Sequence, residues 1–546
     1  GVCVRVLLWN DATSVDNSVV NALLSKTKSG LMGTHHIETA QFFHKSGVIC
    51  ELVKCHSQGV GHHTHGTNTK ISWLNSKMGH GKIFTHHQKT VSMDAPSLDS
   101  TDKRRRVISF VGGLDLTNGR YDTPEHPLFD TLKTVHSGDF RQQLGGFDSR
   151  FGPRQPWHDC HAMVEGRAAR DVVKNFEQRW RKQASSSNRS RLFDFSRHVH
   201  DVLPKEIDLV PRYRAWHVQM FRSIDHNSAE GVGTLERDIA RAYCYQIRRA
   251  QRFIYVENQY FMGSSKWWEG FTDSTNNIPC KHRVPYELAM RIVSKIRTGQ
   301  RFTVYICIPL YPEGDPQSVA MQAVLCWQSR TLQMMYSKVA EALARWGPAD
   351  AHPCHYLNVY CLAKREQCPV RVDLSMVRNP RQQQLIQTGR QMVYVHSKLM
   401  VCDDEYLMIG SANINHRSLG GDRDTEIALG CVEAAHLKQP DGPVLPQGQV
   451  FGFRASLWGE HLGHYDPLFV KPHSLECVRR VNELAEANWE AFVGPAVRPL
   501  PHGHLLKYPY TVARDGALGA KVESFPDMAA GVMGSRPPDV LNLLTT

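Results

Sequence analysis

The chain has 546 residues, with 65 Lys and Arg against 53 Asp and Glu, for a formal net charge of +12. No run approaches the roughly 18 unbroken apolar residues of a membrane-spanning helix, which excludes a helical integral membrane protein; the length suffices for two or more domains around a large core. The fourteen cysteines include no C-x2-C pair, which argues against a zinc site or disulfide frame and for the free thiols of a cytosolic protein.

In chain order, the opening GVCVRVLLWND lacks the charged region and cleavage site of a secretory signal and lacks a starting Met, so residues upstream are expected to have been removed. It reads as a strand over 2–9. Further β-rich runs lie at 82–93, 107–113, 253–261, 302–310, 356–362, 392–402 and 406–412. Helical periodicity fills 169–183, 235–251 and 319–346. Strands alternating with helices indicate a layered α/β architecture. The polar stretch 184–191 and the Pro- and Gly-rich stretch 432–449 read as loops, 201–245 as a link between halves, and the end as a surface tail. The expected organisation is residues 1–200, 201–500 and a tail over 501–546. Basic runs such as KRRR (103–106) and SNRSR (187–191) favour an anionic partner, either phospholipid or nucleic acid.

An internal repeat organises this pattern. THHQKTVSMD (85–94) carries His87, Lys89 and Asp94; VHSKLMVCDD (395–404) carries His396, Lys398 and Asp403 at the same spacing, 396 − 87 = 309 residues later. The first copy is followed by GGLD (112–115) and GRYDT (119–123), the second by GSAN (410–413) and DRDT (422–425). Two pseudo-symmetric lobes are therefore expected, each a mixed sheet flanked by helices, sharing one site at their interface. On a strand, residues i and i+2 point to the same face, so each His and Lys project together. The triplets His87, Lys89, Asp94 and His396, Lys398, Asp403 are the expected catalytic residues, and within them each Asp, of opposite parity, is expected to brace local structure more than to touch substrate. Two lysines can hold the non-bridging oxygens of a phosphodiester. One imidazole can attack phosphorus, and the other can protonate the leaving oxygen and then deprotonate water. Asn413 lies beside them, and Asp122 and Asp424, at matching repeat positions, are candidates for orienting the two imidazoles.

These residues resemble the phospholipase D superfamily. THHQK, FVGGLDL with GRYDTPEH, PWHD (156–159), NFEQRW (175–180), WHVQMFRSID (216–225), IYVENQYFMGSS (254–265), YVHSKLMVCDDEYLMIGSANINHRS and GFRASLWGEHLG (452–463) resemble plant phospholipase D across nearly the whole chain. The resemblance implies hydrolysis of phosphatidylcholine-type lipids to phosphatidate and a free head group, with His87 as nucleophile, His396 as acid and base, and transfer to primary alcohols. It implies a calcium requirement, with His126, His158 and Glu460 at the ligand positions, and Gln259 as a contact to lipid phosphate. Lipid phosphate would thus meet His87, Gln259, His396 and Asn413. It implies a cytoplasmic protein bound peripherally to a phospholipid membrane, with neither nucleic acid nor an obligate protein partner expected. The family's C2 module is not part of this sequence. His416 stands where the family has Gln, and His36 and Ile37 replace two acids. The alternatives are a nucleic-acid phosphodiesterase on the same scaffold and a non-catalytic binder of anionic lipid.

Overall fold

The computed structural model describes residues 2–11, 34–55, 84–98, 101–193, 216–270, 280–369, 372–433 and 448–536. Its centre is three parallel strands, Phe253–Glu257, Thr303–Cys307 and Leu357–Arg365. Their sequences, FIYVE, TVYIC and LNVYCLAKR, are rich in β-branched and aromatic residues and are buried on both faces, as expected for strands sandwiched between helices. The alternation along them divides the core. Ile254, Val256, Val304 and Ile306 face a cluster built with helices Asp238–Arg249, Val284–Arg297 and Val319–Trp346. Phe253, Tyr255, Tyr305 and Cys307 face a second cluster with helices Gln449–Leu462 and Leu475–Val493.

On one side of this centre the sheet continues antiparallel through Leu399–Cys402, Tyr406–Gly410, Glu426–Glu433, Trp216–Asp225 and Leu235–Arg237. On the other, Arg390–Val395 pairs with Leu357–Arg365 and, in parallel, with the short strand Trp157–His158. The first copy of the repeat lies on a smaller sheet of three strands, Lys89–Pro96, Arg105–Gly112 and His161–Glu165, covered by helix Gly166–Gln183. Val107, Val111 and Val164 of that sheet share the second core cluster with the large sheet, so apolar packing holds the two sheets together. The α/β class is as expected, but the sheets are unequal, with eleven strands against three.

Three local expectations change. The run 392–402 is two strands broken at His396–Lys398. Its halves pair with different neighbours, and the break leaves the motif side chains at the C-terminal end of Phe253–Glu257. Residues 235–251 begin as a strand and become helical only at Asp238. The segment expected as a surface tail enters the core: Leu505–Lys507 pairs with Leu357–Arg365, and Leu506, Tyr508 and Val532 are buried. The expected lobe junction near 200 and most of the loop 432–449 lie outside the described residues, as do 82–83 and 537–546. All fourteen cysteines are free. Among the described residues no helix is long and apolar enough to cross a membrane.

Candidate active site

Each motif histidine is held by a carboxylate from the other half of the repeat. His86 forms a bridge with Thr425, with the His87 N–H donating to the Thr425 carbonyl (3.0 Å) and the Thr425 N–H to that of Thr85 (3.0 Å). That register brings Glu426 to His87, whose Nδ1 lies 3.0 Å from both carboxylate oxygens. In the other half, Tyr394 and Val395 pair with Trp157 and His158, and the His396 N–H donates to the His158 carbonyl (2.7 Å). Asp159 follows, and its Oδ2 lies 2.7 Å from His396 Nδ1. In both halves Nδ1 is occupied, which leaves Nε2 for chemistry.

The two lysines are recessed with their histidines. Lys89 Nζ donates to the His87 carbonyl (2.7 Å) and lies 3.4 Å from Asp115. Lys398 Nζ donates to the His396 carbonyl and to Gln259 Oε1 (3.0 Å). Gln259 in turn donates to the Tyr394 hydroxyl (3.0 Å), so in this state it positions Lys398. Asn413, on the turn after strand Tyr406–Gly410, is buried with an unpartnered side-chain oxygen. Its repeat counterpart is Asp115, so pseudo-symmetry breaks here: Lys89 meets a carboxylate and Lys398 a neutral amide.

The carboxylate environments differ as well. Glu426 accepts from the hydroxyls of Ser411 (2.6 Å) and Ser418 (2.6 Å) in addition to His87. Asp159 accepts from His396 and from the Cys160 N–H (2.8 Å). Burial raises Asp159 to about 7. Burial likewise pulls Lys398 down to about 7 against the attraction of Asp159. Burial, then Lys398, Lys89 and Arg120, hold His396 well below its usual range. Burial opposes ionisation of Asp115, but Lys89 and Arg120 override it and hold Asp115 at about 2.

Residues absent from the sequence reading complete the surroundings. Trp157 lies face to face at a tilt with His396, centroids 4.7 Å apart, and the Arg120 guanidinium sits 4.0 Å from the Trp157 ring centre. Arg120 also reaches Asp115 (3.4 Å), adding a third cation near the two lysines.

Two expectations are corrected. Asp122 and Asp424 do not orient the motif histidines. Asp122 accepts from His126 Nδ1, Arg154 and the Trp157 N–H, and Asp424 from Arg417 and the Thr85 N–H. The Asp-Thr pair at 424–425 directly precedes Glu426, whereas residues 124–158 separate the first pair from Asp159. Asp424 does brace the backbone two residues before His87. Asp94, grouped with the catalytic triplet, has a side chain that is 62% exposed and pairs with Arg105. Asp403 accepts the N–H groups of Gln251 (2.5 Å), Arg252 (2.7 Å) and Phe253 (2.9 Å). Both are bracing residues. His416 is buried beside the Arg423 guanidinium; burial first, then that charge, lowers it well below its usual range.

The structure brings His126, His158 and Glu460 together, their ligand atoms all within 4.8 Å of one another. His158 spans two carboxylates, Glu460 through Nδ1 (3.1 Å) and Glu257 through Nε2 (2.8 Å). Its pKa stands well above normal, since the pull of Glu257 overcomes burial. His126 has left-handed backbone (φ 50°), its Nδ1 faces Asp122 (3.0 Å), and its buried Nε2 lies 3.2 Å from Glu460 Oε1 with no hydrogen bond. With Nδ1–H donating to Asp122, that is a lone pair facing a carboxylate, a contact that a cation would relieve. By position the three residues converge on one point, where a dication would have to displace the Nδ1 proton that Glu257 and Glu460 stabilise on His158. Two imidazole nitrogens and one carboxylate also differ from the oxygen set that calcium prefers, and resemble the set of a borderline-soft ion. The cluster backs the reaction centre, because His158 adjoins Asp159 and the Ser397 hydroxyl donates to Glu257.

A family model described as "Phospholipase D" matches residues 1–534. The chain is 42% identical to phospholipase D alpha 1 of Zea mays over 579 aligned positions, covering 100% of this chain and 67% of that protein. It is 42% identical to phospholipase D alpha 1 of Ricinus communis, covering 100% and 68%. A solved phosphatidylserine synthase of Haemophilus influenzae aligns over 84% of this chain and 80% of its own, at 10% identity and a TM-score of 0.34.

Proposed function

Because the chain belongs to the phospholipase D family, we propose that it is a phospholipase D hydrolysing phosphatidylcholine-type glycerophospholipids to phosphatidate and a free head group. The observation that carries the reading is the pair of histidines, each with a cross-lobe carboxylate on Nδ1. The phosphodiester sits between them with its non-bridging oxygens on Lys89 and Lys398, where Asn413 and, once displaced from Lys398, Gln259 add polar contacts.

The two halves suit different tasks. His87 rests on Glu426, which Ser411 and Ser418 hold in place; this suits the nucleophile, which must carry the phosphoryl group through an intermediate. His87 Nε2 attacks phosphorus and the bond to the head-group oxygen breaks. His396 sits against Asp159 and Lys398, both titrating near 7, which suits a group that gives one proton and takes one back. The anionic phosphate on Lys89 and Lys398 offsets the charges that depress His396, so His396 carries a proton in the complex and gives it to the leaving oxygen. It then accepts a proton from water, whose oxygen displaces His87 and yields phosphatidate. A primary alcohol in that water's place gives a phosphatidyl-alcohol.

Calcium enters the proposal at His126, His158 and Glu460 through the family resemblance, and not through the donor set, which suits a borderline-soft ion better. His126, His158 and Glu460 would hold the cation, which would supply positive charge between the turn carrying His126 and the strand leading to Asp159. The lysines and histidines supply the charge and proton transfer at phosphorus. Peripheral association with a phospholipid membrane and a cytoplasmic location complete the reading. The test is choline release from phosphatidylcholine vesicles with and without Ca2+, beside cleavage of a single-stranded oligonucleotide. Choline release without oligonucleotide cleavage is expected. Oligonucleotide cleavage alone would replace the reading with a nucleic-acid phosphodiesterase, and neither activity would point to a non-catalytic binder.

A further inference from the structure

The first half of the repeat carries an excursion that the second lacks. Between Gly113 and Trp157 the chain leaves the sheet, and its root lies in the reaction centre: Asp115 faces Lys89, and Arg120 returns to Asp115 (3.4 Å) and to the Trp157 ring. The Asp115–Arg120 pair closes a six-residue loop whose second member, Leu116, is 85% exposed. One residue past the closure, Tyr121 is 56% exposed, and on the neighbouring turn Val135 is 57% exposed.

These side chains stand on a fixed base. The Asp139 carboxylate accepts the N–H groups of Gly119 and Tyr121 (3.3 Å). Buried His136, next to Val135, donates from Nε2 to the Tyr121 carbonyl (3.1 Å) and pairs through Nδ1 with Thr131 (2.7 Å). Gly119 has φ 76°, and a Cβ there would meet Arg141 Cβ at 2.8 Å, so the turn is tightly determined. Beneath it, Leu128 and Phe129 pack with Val377 and Ile386. Leu116, Tyr121 and Val135 expose most of their apolar surface on a braced segment, with only the Tyr121 ring resting beside His136 (5.8 Å), and the root of that segment, Asp115 and Arg120, lines the reaction centre.

We propose that Leu116, Tyr121 and Val135 form a docking tip that inserts into the outer layer of a phospholipid bilayer, setting the depth at which Lys89 and His87 meet the scissile phosphate. This rests on the reading that the substrate is a membrane phospholipid. Such a phosphate lies at head-group level, so the rim beside the recessed Lys89 must touch the surface for the phosphate to reach it. An aliphatic, an aromatic with a polar end and a β-branched residue suit that depth, where Tyr is favoured at the boundary and Leu and Val beneath it. The tip acts by apolar insertion and is thus distinct from attraction of the basic chain to anionic lipid.

The experiment compares the wild-type chain with the triple variant Leu116→Ser, Tyr121→Ser, Val135→Ser. The readouts are sedimentation with phosphatidylcholine vesicles, head-group release from those vesicles, and head-group release from a short-chain phosphatidylcholine below its micelle concentration. Partition and vesicle turnover should fall on the order of tenfold for each side chain removed, while turnover of the monomeric lipid stays within about twofold. Retained vesicle binding and turnover in the triple variant would overturn the inference. So would wild-type binding that vanishes with added salt but ignores the substitutions, or lipid-free self-association that the triple variant loses, which would assign the tip to a second copy of the chain. If the wild type cleaves neither substrate, the enzymatic reading fails; sedimentation still reports on the tip.

Discussion

Replacing Glu426 with Gln separates the positioning of His87 from everything else at the site. The side chain is fully buried, and the amide keeps its shape and one serine hydroxyl on its oxygen, while the other serine, which donates to the second carboxylate oxygen, must turn to accept from the amide N–H. What disappears is the negative charge 3.0 Å from His87 Nδ1. At an effective dielectric near 20, opposite charges at that separation attract by about 5 kcal/mol. A neutral hydrogen bond to the amide oxygen restores about 1 kcal/mol, and a free amide rotation would reverse the tautomer and block Nε2. The net loss to the positively charged phosphohistidine-like transition state is about 3–4 kcal/mol, or roughly 10²–10³ in rate. Ser418→Ala removes one of the two hydroxyls that hold the carboxylate and should cost about 1.5 kcal/mol, roughly tenfold. Rapid-quench measurement of head-group release in the first turnover reads both, with thermal unfolding to show that the variants are folded. A folded Glu426→Gln enzyme within about tenfold of wild type would refute the assignment of His87 as a nucleophile supported by Glu426.

The remaining expectations concern pH, the motif aspartates and the cation. Asp159 becomes protonated as pH falls below about 7, and Lys398 loses its charge as pH rises above about 7, so kcat/KM should be a narrow bell centred near neutrality whose limbs belong to the coupled pair. Lys398→Arg, which stays charged, should move the alkaline limb upward at reduced rate; an unmoved limb would remove Lys398 from it. Asp403→Ala strips an acceptor from three N–H groups at a left-handed residue and should cost about 3 kcal/mol in denaturant unfolding. Exposed Asp94→Asn should change stability by less than about 0.5 kcal/mol and leave turnover intact; a large loss of turnover would restore Asp94 to the chemistry. Glu460→Gln should shift the calcium dependence of vesicle hydrolysis more than its maximal rate, and an unchanged calcium curve would remove Glu460 from the cation site.

The paired His-x-Lys motifs were legible because the same spacing recurs; strand parity does not hold them, since His87 precedes the strand Lys89–Pro96 and His396–Lys398 fall in the break between two strands. The buried strands were legible because FIYVE and TVYIC have no exposed face to require polar residues. The orienting carboxylates were not. Glu426 lies 426 − 396 = 30 residues after its own motif and Asp159 159 − 87 = 72 after its own, because the excursion after Gly113 lengthens the first half. Matching Asp-Thr pairs by their place after the small residues therefore selected Asp122, which serves His126 instead. The exchange of carboxylates between halves is a property of strand pairing, His86 with Thr425 and Val395 with His158, which no local pattern reveals. Convergence of His126, His158 and Glu460 depends on tertiary packing over 460 − 126 = 334 residues and entered only through resemblance. The motif aspartates share a spacing but not a setting: Asp94 pairs with Arg105 on an exposed strand end, and Asp403 accepts three N–H groups at a buried turn.

Partition between water and alcohol tests the shared covalent intermediate most directly. Vesicles of phosphatidylcholine are incubated with the protein at increasing concentrations of a primary alcohol, and choline, phosphatidate and phosphatidyl-alcohol are measured together. If His87 carries the phosphatidyl group and His396 activates whichever oxygen nucleophile occupies the water position, choline release stays nearly constant while phosphatidyl-alcohol replaces phosphatidate. Choline release with no phosphatidyl-alcohol even at high alcohol concentration would contradict the account, since water would then be attacking the lipid phosphorus without passing through His87.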